Sequence, residues 1–190
     1  MENTNVKTDD DGFIITDEFL QTTSKGIYAI GDVKQGPMTA NAAFYDAKLA
    51  TANAFNDNQC KCDYHKVPIV IDSALQIAHV GHTEDSAEDA DYNPEVIRTN
   101  LAGSPIGQLT HQVQGFIDIV HDEETGEVLG GCVVGPQARE MIHTISGASH
   151  SDRGLHYFTD RHYAHPAWNE EYENTVSAYT NNINSDKRQD

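Results

Sequence analysis

The sequence predicts an α+β protein in which an antiparallel sheet is followed by packed helices. Two β-rich runs, GFIDIVH at 115–121 and VLGGCVV at 128–134, flank an acidic turn carrying Gly126, which is a strong hairpin signal. Shorter apolar runs at 67–71 and 76–81 precede that hairpin, and stripes of helical spacing follow it. Strands gathered ahead of helices, without regular alternation, give an antiparallel sheet with helices on it.

Taken in order, residues 1–10 are polar, and GFIIT at 12–16 reads as a short strand. The run 27–30 reads as a buried strand stopped by Gly31-Asp32. Gly36-Pro37 then opens a helix, because Pro has no N–H to lose at the first helical position. Met38, Ala42, Tyr45, Leu49 and Ala52 make its apolar stripe, which ends near Phe55. The polar stretch around NDNQCKCDYH is the expected domain boundary, dividing a piece at 1–57 from a domain at 66–180 by a linker at 58–65. The first piece is too small to form a stable domain by itself. Beyond the linker come the two strands, a short capped helix at 83–88 and a third strand at 95–101. After the hairpin, Ala138, Met141, Ile142 and Ile145 share one helix face. A last helix is expected directly after Pro166, with Trp168, Tyr172, Val176 and Tyr179 at helical spacing, and 181–190 as a disordered tail.

Composition narrows the function classes. Thirty acids against twelve bases give a formal net charge of -18 over 190 residues. A chain this acidic repels nucleic acid and anionic membranes, which are bound through Lys and Arg. The acids run along the whole chain, a pattern suited to solubility in a salt-rich cytoplasm, where self-repulsion is screened. The first residues lack the basic and apolar regions of a signal peptide, and no apolar run reaches membrane-span length, so a cytoplasmic location is expected. Cys60, Cys62 and Cys132 are too few for a disulfide framework, and no compact set of four ligands suggests a metal.

Two places could carry chemistry. Asp32 follows a buried run and precedes a helix start, so its carboxylate could accept hydrogen bonds from a ligand hydroxyl beside the helix dipole. From spacing alone the commoner reading is a turn Asp bonded to its own backbone. In YAHPAWNE, Pro166 holds His165 out of the helical region, and Glu170 lies close enough to reach back to its imidazole. A carboxylate on one ring nitrogen fixes the tautomer and strengthens the other nitrogen as a general base. The plainer alternative is a surface His–Glu pair at a helix start.

The stretch TTSKGIYAIGDVKQGPMTANAA resembles the second flavin-binding motif of the pyridine nucleotide-disulfide oxidoreductases. HPxxxE near the C-terminus is similar to the signature of the dihydrolipoamide dehydrogenase branch, and IAHVGHTE with the hairpin resembles the family's dimerisation domain. The likeness runs from Thr8 to Tyr179. It implies that Asp32, with Gly31, holds the ribityl chain of FAD, and that Met38, Thr39 and Ala40 sit under the flavin. It implies that His165 takes a proton from a dithiol while Glu170 orients it, acting on the flavin of the other subunit of a homodimer. Some positions depart from the pattern. Thr39 and Asn41 stand where Leu and His are usual, Ala167 and Asn169 where Thr and Ser are frequent, and Asp118 where Lys is common.

Neither GxGxxG fingerprint, for FAD or for NAD, is present, nor is a CxxxxC redox pair, and Cys60-Lys61-Cys62 has the wrong spacing to replace it. The expectation is therefore a C-terminal part: the end of an FAD-binding domain followed by a dimerisation domain. Alone it would be inactive, and it would need a separate N-terminal half to supply the remaining FAD and NAD sites. The alternatives are a non-catalytic dimerisation module and a fragment of another family member, such as mercuric reductase.

Overall fold

The computed structural model describes residues 3–56 and 59–186 and divides into two compact units, Met1–Val67 and Pro68–Asp190. In the second unit, five strands form one antiparallel sheet in the order β1-β2-β5-β4-β3. They are β1 (Ile69–Ile71), β2 (Ile77–Gly81), β3 (Pro94–Asn100), β4 (Phe116–Asp122) and β5 (Val128–Val134). The β4–β5 hairpin lies at its centre, flanked by β3 and β2. The turn is fixed by Asp122, whose carboxylate accepts from the Thr125 N–H and hydroxyl, both at 2.8 Å, and from the Asn93 N–H at 3.2 Å. Those bonds hold Asp122 below the usual carboxylate range.

One sheet face is the core. Ala78 and Val80 of β2, Ile117 and Ile119 of β4 and Val133 of β5 are buried against Met141, Ile142 and Ile145 of α4 (Ala138–Ser149). The expected apolar face of this helix is the buried one. Close approach needs Gly131, where a Cβ would come within 2.3 Å of the Asp118 carbonyl and 2.9 Å of Ile145. The opposite face carries a polar row, because register aligns His79 with Cys132, Cys132 with Asp118, and Asp118 with Arg98. Arg98 grips Asp118 through Nε and Nη2 at 2.6 and 2.5 Å, so the acid at this strand position has its counter-charge on the neighbouring strand.

Helix α2 (Glu84–Glu88) starts with the expected cap: Thr83 accepts from the Ser86 N–H while Ser86 returns the bond. Two further short helices were not foreseen, α3 (Pro105–Thr110) and α5 (His156–Thr159). The last helix, α6 (Glu170–Asp186), begins four residues after Pro166, not directly after it, because residues 165–169 form a bend with a cis His165–Pro166 peptide. It also continues past residue 180 to Asp186, while 187–190 lie outside the described residues. Tyr172 anchors it, donating its hydroxyl to the Met141 carbonyl at 2.8 Å and stacking on Phe158 at 5.5 Å.

Unit one is irregular where strands were expected. Residues 12–16 make only the isolated bridges Thr8↔Ile14 and Thr16↔Thr22. The cause is local: Asp9 captures the Phe13 N–H at 2.9 Å, and Asp17 captures those of Phe19 and Gln21, each at 2.9 Å, so side chains replace a strand ladder. The 27–30 run is likewise no buried strand. It pairs once, at Gln21↔Tyr28, and Ile27 and Ile30 stay 40% and 39% exposed. Helix α1 spans Ala40–Phe55 and does not start at Pro37, because Met38 has φ +52° and Thr39 is extended. Its buried stripe is Ala42, Asp46, Ala50 and Asn53, one step round from the expected one, and Met38 is 52% exposed.

Truncating Ile142 to Ala should lower the unfolding free energy by about 3 kcal/mol, since a fully buried methyl cluster leaves a cavity. Ile71→Ala, at a 55%-exposed position, should stay within about 0.5 kcal/mol in the same denaturant titration.

Candidate functional site

The α6 start assembles the His–Glu pair. The preceding bend points the His165 imidazole out, with its side chain 70% exposed, while Glu170 keeps 13% of its side chain exposed. Nδ1 of His165 lies 2.8 Å from Glu170 Oε2, and the Ala167 N–H donates to Glu170 Oε1 at 3.0 Å. Both carboxylate oxygens are therefore engaged, one by the ring and one by the backbone. Burial raises the Glu170 carboxyl, but the His165 and Ala167 hydrogen bonds and the charge of His165 outweigh it, leaving a value below the usual glutamate range. Acids in the first turn also suit the positive end of the helix dipole. Glu170 thus engages the Nδ1 edge of an imidazole that is otherwise largely exposed.

The second group of candidates occupies residues 31–40 of unit one. Gly31 has φ +65°, and a Cβ there would stand 3.2 Å from Ala43 Cβ, so the turn admits glycine and little else. Asp32 follows in a 3-10 turn (Gly31–Val33) and is exposed. Met38 adopts a left-handed conformation, uncommon outside glycine. Thr39 occupies the N-cap of α1, yet its side chain makes no capping bond, and its hydroxyl is buried without a partner. Ala40 opens the helix. The structure thus gathers Gly31, Asp32, Met38, Thr39 and Ala40 along one turn, and His165 with Glu170 along another, in separate units.

Sequence reasoning missed a charged cluster behind Gly31. Asp46 accepts the Gly31 N–H at Oδ2 (3.0 Å) and the Tyr64 hydroxyl at Oδ1 (2.8 Å). Lys34, 4% exposed, lies 3.7 Å from Asp46 and bonds Tyr64 Oη at 2.5 Å. The available signal was Asp46 itself, an acid at i+4 from Ala42 and i−4 from Ala50 on an alanine stripe. The 59–66 segment is tied to unit one by Asn53, which exchanges 2.8 Å bonds with the Cys60 backbone, and by the Cys62 N–H donating to the Glu18 carbonyl.

The three cysteines are free thiols, and burial pushes both Cys62 and Cys132 up. His143, His150, His156 and His162 are exposed. His121 is not: it is 2% exposed and lies edge-on against Tyr179. Among the described residues, no three His, Cys, Asp or Glu are grouped to hold a metal, and no helix is long and apolar enough to cross a membrane.

The second unit is thus a five-stranded antiparallel sheet carrying packed helices, and the first holds a glycine turn and a helix start. Residues 67–176 match the pyridine nucleotide-disulphide oxidoreductase dimerisation domain, and residues 1–47 match the pyridine nucleotide-disulphide oxidoreductase domain. The chain belongs to the pyridine nucleotide-disulphide oxidoreductase family. It is 37% identical over 160 residues to dihydrolipoyl dehydrogenase of Thermus scotoductus, covering 82% of this chain and 34% of that protein. Against dihydrolipoyl dehydrogenase of Haloferax volcanii it is 32% identical over 167 residues, covering 87% and 35%. The chain thus spans about a third of the length of these curated relatives. In fold it is similar to LpdA from Mycobacterium tuberculosis, with a TM-score of 0.84 over 94% of this chain and 39% of that one, at 21% identity.

The depressed Glu170 carboxyl has a defined sign. Its stabilising contribution is complete above the unfolded glutamate value and is lost as pH falls through the lower folded one. Carbon-detected NMR should show Glu170 titrating below the ordinary glutamate midpoint, and a midpoint at or above it would contradict the pairing.

Proposed function

We propose that this chain supplies the base, one edge of the flavin pocket and the dimer interface of a dihydrolipoamide dehydrogenase-type dithiol:NAD oxidoreductase. The observation that carries this reading is the His165–Glu170 pair, fixed at 2.8 Å on a largely exposed imidazole. His165 Nε2 accepts the proton of a dithiol S–H, leaving a thiolate free to attack a redox disulfide. Glu170 keeps Nδ1 protonated and balances the imidazolium that forms. No CxxxxC pair occurs in these 190 residues, so in this reading the disulfide and the NAD site are supplied by further polypeptide.

The residues at 31–40 fit an FAD. An unpartnered buried hydroxyl at Thr39, a turn at Gly31 that a Cβ would crowd and an exposed carboxylate at Asp32 are what a polyhydroxylated ligand beside a helix N-terminus would use. Asp32 would accept hydroxyl hydrogens of the ribityl chain, Gly31 would give close backbone approach, and Met38, Thr39 and Ala40 would lie beneath the ring. When bound, FAD supplies the two-electron relay between dithiol and NAD. Ile30, Val33, Met38, Phe44 and Phe55 remain exposed in unit one, which suits a fold completed by further polypeptide.

In this reading two copies join through the 67–176 domain, and each His165 serves the flavin of its partner. The acid excess, thirty against twelve, suits a salt-rich cytoplasm. In this reading these 190 residues do not by themselves suffice for the dithiol:NAD reaction.

Combined with a polypeptide supplying the two nucleotide-binding segments and the CxxxxC pair, the chain should give a yellow protein that reduces NAD with dihydrolipoamide. His165→Ala should lower the dithiol half-reaction by roughly 10²–10⁴-fold while flavin content holds. An unchanged rate would remove His165 from this role, whereas a mixture with neither bound flavin nor NAD reduction would favour a non-catalytic dimerisation module.

A further inference from the structure

The charged cluster behind Gly31 has no part in the proton transfer, yet it holds one of the few deeply buried lysines a small fold tolerates. Burying a Lys–Asp pair is unfavourable unless both groups are hydrogen-bonded, and replacing such a pair with apolar side chains is often neutral or stabilising. Here both are satisfied. Lys34 Nζ donates to the Gln35 carbonyl at 2.8 Å and bonds Tyr64 Oη at 2.5 Å, with Asp46 at 3.7 Å. Asp46 spends one oxygen on the Tyr64 hydroxyl and the other on the backbone N–H of Gly31. The chain of contacts therefore ends on the backbone of one residue, and that residue begins the 3-10 turn carrying Asp32.

Geometry makes that contact consequential. Gly31 sits at φ +65°, reachable only by glycine without strain, and glycine left to itself samples many other conformations. Asp32 points wherever the Gly31 backbone sends it. An acceptor fixed on the Gly31 N–H selects one conformation from that range, and a carboxylate pinned by Lys34 and Tyr64 cannot swing away. Tyr64 belongs to the 59–66 segment, so the same bonds secure that segment to the turn.

We propose that Lys34 and Tyr64, acting through Asp46, are positioning residues that hold the Gly31–Asp32 turn in the conformation that receives the hydroxylated chain of the flavin. This rests on the reading of Asp32 as a flavin ligand. Lys34 touches no ligand. Its part is to keep the Asp46 carboxylate aimed, so the turn is pre-formed before any ligand arrives, which lowers the ordering loss on binding.

Amide hydrogen exchange in the whole chain, read by NMR without flavin, tests the network directly. The Ala29 N–H, bonded to the Leu20 carbonyl in the same unit, serves as the internal reference. Lys34→Met should speed exchange at Gly31 by roughly 10-fold or more relative to Ala29, and Tyr64→Phe should act in the same direction. Lys34→Arg should restore most of the protection by keeping the charge beside Asp46. Equal loss at Gly31 and Ala29 would mean general loosening of the unit and would overturn the proposal, as would an unchanged Gly31. A separate FAD titration of the reconstituted protein tests the ligand reading. Weaker FAD binding by Asp32→Ala with normal Gly31 exchange supports Asp32 as a ligand. Unchanged FAD affinity in that variant sinks the flavin reading, while the exchange result still decides whether Lys34 orders the turn.

Discussion

The double hydrogen bond at the Glu170 carboxylate is the constraint on which the functional part of this molecule rests. One oxygen takes the His165 ring and the other takes the Ala167 backbone, so the imidazole is tied to the bend that bears it. Glu170 can do this because it is also the first residue of α6, and α6 is not free to move. Tyr172 binds the Met141 carbonyl of α4 and stacks on Phe158, and Tyr179 donates to Glu95 of β3. The His165 imidazole is thus aimed by a helix whose position is set by contacts with three other elements, α4, α5 and β3. In the proposed reading, a mutation far from His165, in the α4–α6 contact, would act on the chemistry by letting the helix start drift.

The 31–40 turn follows a different logic. Asp32 is exposed and the Thr39 hydroxyl unpartnered, and the order of the turn comes from behind, through Asp46 to Lys34 and Tyr64. Positive φ at both Gly31 and Met38 bends the chain sharply, which brings an exposed carboxylate and a helix N-terminus into ten residues. Strained backbone of this kind persists where surrounding contacts over-determine it.

What could be read from sequence followed the range of the interactions involved. Apolar runs and helical patterning placed β2, β3 and α4, β-rich runs about a Gly turn placed the β4–β5 hairpin, and capping residues placed α2. The His165–Glu170 pair was legible for a local reason, a five-residue spacing across a proline. Patterning failed in unit one. There, Asp9 and Asp17 take backbone N–H groups that a strand would have used, and the 27–30 run has one short partner segment instead of a sheet. The α1 boundary failed because Pro37 signals a helix start, whereas Met38 at φ +52° postpones it to Ala40. Likewise the bend at 165–169 separates Pro166 from α6. The Lys34–Asp46–Tyr64 cluster joins residues 12 to 30 positions apart, and no local pattern marks such a contact.

The central claim is that Glu170 holds His165 as the Nδ1–H tautomer, with Nε2 bare. Long-range ¹⁵N–¹H correlation NMR of the neutral ring measures this directly. The account predicts a pyrrole-type shift at Nδ1 and a pyridine-type shift at Nε2, collapsing toward a mixture in Glu170→Ala. Averaged shifts in the unaltered protein, or a proton found on Nε2, would contradict it.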